Sequence, residues 1–329
     1  MTQEEKDRHE MELCGDLVPR LCEKGVWAEI DALDVQDTIL VMHQAIDVLN
    51  KGLLDDMFND TWFRKEDFKA AISRLAALVP DKLMAQDAIY TLIDDNTGLP
   101  FLDERGGVFL FSKEEYAAEA LDYYMQQLRL WHIETVEGED IYPYLGREFY
   151  SNGALYAVVD AGQQYLVLKP EDYIPRPDYS GKQTSEIPVS NPDYIRALSL
   201  LVQEMRWQAN YEGKAKVLRK LEDDMIHGFV GARFLVPFRT SAPDSELVKN
   251  LRKGDVMTFA AEQGDVIPVF SDWDQFILAY DIDQWDGLAM SAEDLLSLPS
   301  GRVVLNVKTL AFAMSKQFMQ QMFSIAAEG

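Results

Sequence analysis

The chain has 329 residues, 47% of them apolar and 26% charged, with 56 acidic against 31 basic side chains and a formal charge of −25. That length predicts about two domains with real cores, and the apolar share excludes long disordered stretches. An acidic excess on this scale repels phosphate backbones and anionic lipid, so neither nucleic acid nor membrane is an expected partner.

The chain opens with the polar, acidic stretch Met1 to Asp7, which has no basic-then-apolar order, so no secretory signal is expected. Cys14 and Cys22 are the only cysteines, too few for a secreted disulfide scaffold. No apolar run approaches the roughly 18 residues of a membrane span. The expected location is cytoplasmic. Residues 1–64 read as a helical N-terminal region, with Ile39, Leu40, Met42, His43, Ile46, Leu49 and Leu53 at helical spacing. Lys65 to Leu78 continues that pattern.

A repeated grammar follows. Ala88 to Asp94, Leu99 to Leu102 and Val108 to Ser112 are short β-rich runs parted by turn residues. Ala232 to Phe238, Val256 to Ala260 and Val266 to Ser271 repeat them. Each set reads as a three-strand meander. Each ends on a serine followed three residues later by an acid, Ser112/Glu115 and Ser271/Asp274, which predicts serine-capped helices. Strands are expected at 128–133 and 287–290, short helices at 139–149 and 291–298, and strands at 154–160 and 302–306. Further β runs at 165–168 and 310–313 close the parallel.

Lys169 to Pro192 holds five of the 13 prolines and reads as a linker or extended crossing. Asn191-Pro192 then starts a helix running to about Tyr211. The expected organisation is a helical region at 1–64, a first module at 65–175, a linker and connecting helix at 176–213, and a second module at 214–329. The fold class is mixed α+β: a tandem repeat of a small mixed-sheet module with flanking helices.

These residues resemble the SseB N-terminal domain family (enhanced serine sensitivity protein B and relatives). The second copy carries the resemblance on Phe234-Leu-Val-Pro237, Ile267 to Ser271 and Leu305-Asn306. The first keeps Leu99-Pro100-Phe101 and Phe109 to Ser112, with Asp160 where the second has Asn306. Relatives carry Asn-Pro at that late position, whereas Val307 and Ala161 follow here. The resemblance implies a compact α/β module and brings no catalytic constellation with it.

The chain lacks the phosphate-loop, dinucleotide, zincin and nucleophile-elbow patterns. His9, Cys14 and Cys22 have no common zinc spacing. Asp281 to Gly287 misses calcium-loop spacing by one residue after its second acid, so it reads as an acidic loop. Lys214, Lys216, Arg219 and Lys220 read as a solvated helix face. No cofactor, metal or catalytic residue is expected. Most aromatics read as core. The one candidate partner surface is Asp272, Trp273, Asp274, Asp281, Asp283, Trp285 and Asp286, acids interleaved with aromatics. The expected function is a non-enzymatic protein-interaction or regulatory role, with a basic or apolar protein, or a second copy of the chain, as partner. The alternative is an enzyme or small-ligand binder whose site lies at the junction of the modules.

Overall fold

The computed structural model describes residues 3–53, 61–183, 186–239, 259–261 and 264–328. Residues 256–258 of the second expected meander lie outside them.

The fold is mixed α+β. Helices α1 (Gln3–Leu17), α2 (Val26–Asp31), α3 (Val35–Asn50) and α4 (Thr61–Met84) form the N-terminal part. Asp34 caps α3, its carboxylate accepting the Asp37 amide at 2.8 Å. These helices bury Leu17, Leu21, Ile30, Met42, Phe68 and Leu75 in a core of their own.

The first module comprises β1 (Ala88–Asp94), the two-residue β2 (Leu99–Pro100), β3 (Gly107–Phe111), α5 (Glu114–Met125), β4 (Trp131–Glu137), α6 (Ile141–Tyr150), β5 (Tyr156–Val159) and β6 (Leu166–Leu168). Its sheet runs β4-β1-β3-β5-β6, with β2 pairing the end of β1. The expected meander is therefore corrected. The first and third runs pair directly, Tyr90 opposite Phe111, and the middle run is a stub on the same edge.

After α7 (Pro192–Arg206) and α8 (Lys214–Val230), the second module repeats the plan. It comprises β7 (Arg233–Arg239), β8 (Phe259–Ala261), β9 (Gly264–Val269), α9 (Trp273–Ile277), β10 (Trp285–Ser291), β11 (Arg302–Leu305), β12 (Phe312–Ser315) and α10 (Lys316–Glu328). The registers match. Strands β1 and β4 pair antiparallel from Ala88↔Glu137 to Asp94↔Trp131, and β7 and β10 from Arg233↔Ser291 to Arg239↔Trp285. Strands β3 and β5 are parallel, as are β9 and β11. Each of β5 and β11 then pairs antiparallel with the next strand. Two differences stand out in the second copy: α6 shrinks to a 3-10 turn, Asp294–Ser297, and β7 with β10 forms a separate two-stranded sheet that meets the other strands at the bridge Leu235↔Phe270.

The connecting helix α7 belongs to the second core. Tyr194, Ile195, Leu198, Leu201 and Val202 recur at helical spacing and pack with Phe229, Phe234, Ile267 and Leu305. On α10, Met319 and Met322 complete that core. The α3 helix plays the corresponding part in the first module, sending Val35 and Ile39 into its core.

The modules pack on one another. Leu99 of the first sits in the core of the second. Gly98, at φ +63°, passes so close to Thr309 that a Cβ there would lie 3.2 Å from its Cα. Gly153, at φ +81°, approaches the Pro192 carbonyl so closely that a Cβ would fall 2.0 Å from its oxygen. Arg129 stacks its guanidinium over Trp207 at 3.8 Å, and the Trp207 indole donates to the Gln127 carbonyl at 2.7 Å.

Candidate functional site

In each module the two parallel strands end at a hydrogen-bonded clasp. The sequence reading made Ser112 and Ser271 helix caps, and the structure corrects this. The helices start one residue later, with Lys113 and Asp272 at the capping positions, and only Asp272 caps with its side chain, accepting the Gln275 amide at 2.9 Å. Both serines instead face the residue that follows the next parallel strand. The Ser112 amide and hydroxyl donate to the two Asp160 carboxylate oxygens at 2.7 and 2.8 Å. The Ser271 amide donates to Asn306 Oδ1 at 3.0 Å, and the Asn306 amide group donates to the Ser271 hydroxyl at 2.9 Å. Asp160 and Asn306 both have left-handed backbones, φ +56° and +48°, a region where Asp and Asn are among the few comfortable non-glycine residues. A carboxylate or amide across the strand ends offers two bonding atoms to a serine, and that satisfies its amide and its hydroxyl together.

Beyond each clasp lies a cleft, where open α/β sheets commonly bind ligands. The two clefts are built from matching positions. Tyr116 and Gln275 stand four residues after the clasp serine, and Glu119 and Leu278 seven after. Gln163 and Thr309 stand three after Asp160 and Asn306. The first cleft, about 600 Å³, is covered by α1 and the start of α3. Three polar pairs line it: Lys113 meets Asp34 at 2.8 Å, Lys6 meets Glu119 at 3.3 Å, and His9 meets Asp37 at 2.8 Å, with Asp7 and Glu10 in the same lining. Gln36 lines it with a buried, unpartnered side-chain oxygen.

The second cleft, about 350 Å³, lies at the module junction. The first module supplies the Gly98-Leu99-Pro100 turn, Glu134 of β4, Tyr144, Arg147 and Glu148 of α6, and Asn152. The second supplies Asp274, Gln275, Ile277 and Leu278 around α9, and Thr309. Glu148 is 1% exposed. It sits on the inward face of α6 with Ile141, Tyr144 and Leu145, where the helical period places it. Asn152 donates to one Glu148 oxygen at 2.9 Å, and Arg147 Nε reaches the other at 3.4 Å. Burial pushes the Glu148 carboxyl up to about 7, against the pull of Arg147 and Asn152. Tyr144, 3% exposed, lies in the same wall, and its hydroxyl has only Thr91 beside it, without a hydrogen bond of good geometry. Burial and the neighbouring Glu148 hold that phenol well above its ordinary range.

The acidic, aromatic residues singled out in the sequence do not form one open surface. Asp272 is 3% exposed and fully engaged as the α9 cap and as acceptor of the Ser271 hydroxyl at 2.5 Å. Burial raises its carboxyl, and the Ser271 and Gln275 bonds relieve this in part. Trp273 and Trp285 are half-buried against Phe276 and Tyr280. Asp274, Asp281, Asp283 and Asp286 are exposed. Asp281 organises its own loop, accepting the Asp283 amide at 3.0 Å. Lys216, Arg219 and Lys220 lie on the exposed side of α8.

Sequence reading missed Glu148, Asn152 and Tyr144. The available signal was a glutamate falling on an otherwise apolar helical face.

Among the described residues no helix is long and apolar enough to cross a membrane, and no group of three or more His, Cys, Asp or Glu side chains is arranged to hold a metal. No protein-family profile, curated protein or solved structure matches the chain.

Proposed function

We propose that the chain is a small-ligand-binding protein whose site is the junction cleft. The observation that carries this reading is Glu148, a fully buried carboxyl with only two side-chain donors, in the wall of a cavity that both modules build. Burying such a group costs stability unless it is fully bonded, so it persists where the site uses it. The volume lies at the lower end of small-molecule sites. The test is a metabolite-like compound library screened by thermal shift against the wild type, Glu148→Gln and Ile277→Trp, the last chosen to fill the cleft. Hits whose stabilisation disappears in both variants establish the site. A library with no hit sensitive to either variant removes it.

A second reading, a protein-interaction or regulatory role, draws support from Ile277, Leu278 and Ile282. All three are more than half exposed, close in sequence to Asp281, Asp283 and Asp286. Such a surface suits a basic or apolar protein partner or a second copy of the chain. Light scattering of the wild type and Ile282→Asp tests the second copy: a concentration-dependent dimer lost in the variant supports it, and a monomer in both removes it. The SseB-like resemblance stays a proposal for the module, supported by the residues quoted for it.

A further inference from the structure

The junction cleft has a charge imbalance that selects its ligand. We propose, resting on the junction-site reading, that the ligand is a monocation: a primary ammonium or a guanidinium on a short apolar stem.

Glu148 provides the head-group site. An ionised carboxylate has about four acceptor positions, and Glu148 receives one good side-chain bond, from Asn152, and one long one, from Arg147. A donor-rich cation uses the remaining positions, whereas an anion has none to use. The titratable groups around Glu148 are Arg147 and Tyr144 on its own helix, Glu134 on β4 and Asp274 on α9. With Glu148 ionised they amount to three carboxylates against one guanidinium. A bound monocation therefore relieves an excess of negative charge, and an anionic ligand adds to it.

The stem follows from the apolar lining. Leu99, Pro100, Ile277 and Leu278 line the same cleft, the first two buried and the last two exposed. A short alkyl chain on the cation covers the exposed Ile277 and Leu278 surface. Because the Glu148 carboxyl sits at about 7 in the free cleft, it is partly protonated at pH 7, and cation binding expels that fraction of a proton.

The experiment uses the full chain and four probes that share a pentyl chain: n-pentylamine, n-pentylguanidine, 1-pentanol and hexanoate. Backbone amides are followed by NMR, and heats are measured at pH 7 in two buffers of different ionisation enthalpy. The expected result is saturable shifts at Asn152, Gln275 and Thr309 with the two cations only, accompanied by proton release. Glu148→Gln is expected to weaken cation binding tenfold or more and to abolish the proton release. Shifts at these amides with pentanol or hexanoate but not with the cations overturn the charge class and leave the site standing. Cation binding undiminished in Glu148→Gln overturns the role of Glu148 as the head-group site. No shift at these amides with any probe overturns the junction site itself.

Discussion

The two clasps solve one structural problem with opposite charge arrangements. Each holds one buried carboxyl against a serine hydroxyl, but on different sides of it. In the first module the acid lies across the strand ends, Asp160, and the residue after the serine is Lys113. In the second the acid is the residue after the serine, Asp272, and the group across the strand ends is the neutral amide of Asn306. The serine proton explains the difference. Ser112 gives its proton to Asp160. Ser271 gives its proton to Asp272, so the residue opposite must supply a donor, which asparagine has and aspartate lacks. Lys113 also draws the Asp160 carboxyl down, although burial dominates and leaves it at about 6. What recurs between the copies is therefore the geometry of two bonds to a serine, and the charges around it are free to exchange in compensating pairs.

This comparison breaks most visibly at Asn306→Asp. That substitution sets two buried carboxyls on one serine hydroxyl and removes the donor to it. We expect a loss of about 3 kcal/mol or more at pH 7.5, shrinking in acid as one carboxyl takes a proton. Urea unfolding at pH 7.5 and pH 5 measures it, and equal losses at both would contradict the pairing.

The mirror change, Asp160→Asn, carries the opposite sign. The Asp160 carboxyl sits at about 6 when folded, against an ordinary 3.8. Below pH 4 both states hold the proton. Between pH 4 and 6 the unfolded chain ionises while the folded chain does not, so folding stability falls as pH rises and then levels off. Asparagine removes this loss and keeps bonds to the Ser112 amide and hydroxyl oxygen, although the Ser112 hydroxyl proton then lacks the acceptor that Asp272 gives Ser271. The expected gain at pH 7.5 is about 2 kcal/mol, with a flatter stability profile from pH 4 to 6. Glu148 acts in the same direction, from an ordinary 4.5 up to about 7. Wild-type stability should therefore decline from pH 5 to 7.5, and Glu148→Gln should remove part of that slope.

The smallest effect separates the serines. Ser271 makes two side-chain bonds through its hydroxyl and Ser112 one. Ser271→Ala should cost roughly 1 kcal/mol more than Ser112→Ala, since each lost bond of this kind is worth about that much. Equal costs in thermal unfolding would mean that the hydroxyls are interchangeable.

Much of this fold was legible because its signals are local. Apolar runs, Gly106-Gly107 and the late Asp160 and Asn306 each mark a strand or a turn within a few residues. The clasps were not legible, because Ser112 and Asp160 meet only when β3 and β5 lie side by side. Local capping chemistry offered Ser112 a nearer partner, and the tertiary bond won. The proline-rich crossing and α7 read as a linker and connecting helix, and the stripe from Tyr194 to Val202 shows that α7 is core to the second module. Of the candidate site, Glu148 could have been suspected from its place among Ile141, Tyr144, Leu145 and Phe149. A junction site was the alternative reading, but its lining could not be named, since Asp274, Gln275 and Thr309 reach it from the other copy. Trp273 and Trp285 were conspicuous in the sequence for a packing reason, as half-buried covers for Phe276 and Tyr280.

The clasp chemistry also orders the steps by which two copies can have drifted apart. Passing from Asp272 with Asn306 to Lys113 with Asp160, or back, takes two replacements. One route crosses a clasp with aspartate at both positions, which leaves the serine hydroxyl without a donor and adds a second buried acid. The other crosses a clasp with lysine and asparagine, which keeps one bond at the serine amide and one at its hydroxyl and buries no carboxyl. Lineages of this duplicated chain are therefore expected to contain Lys–Asn intermediates and to lack Asp–Asp ones, whichever copy is the older form.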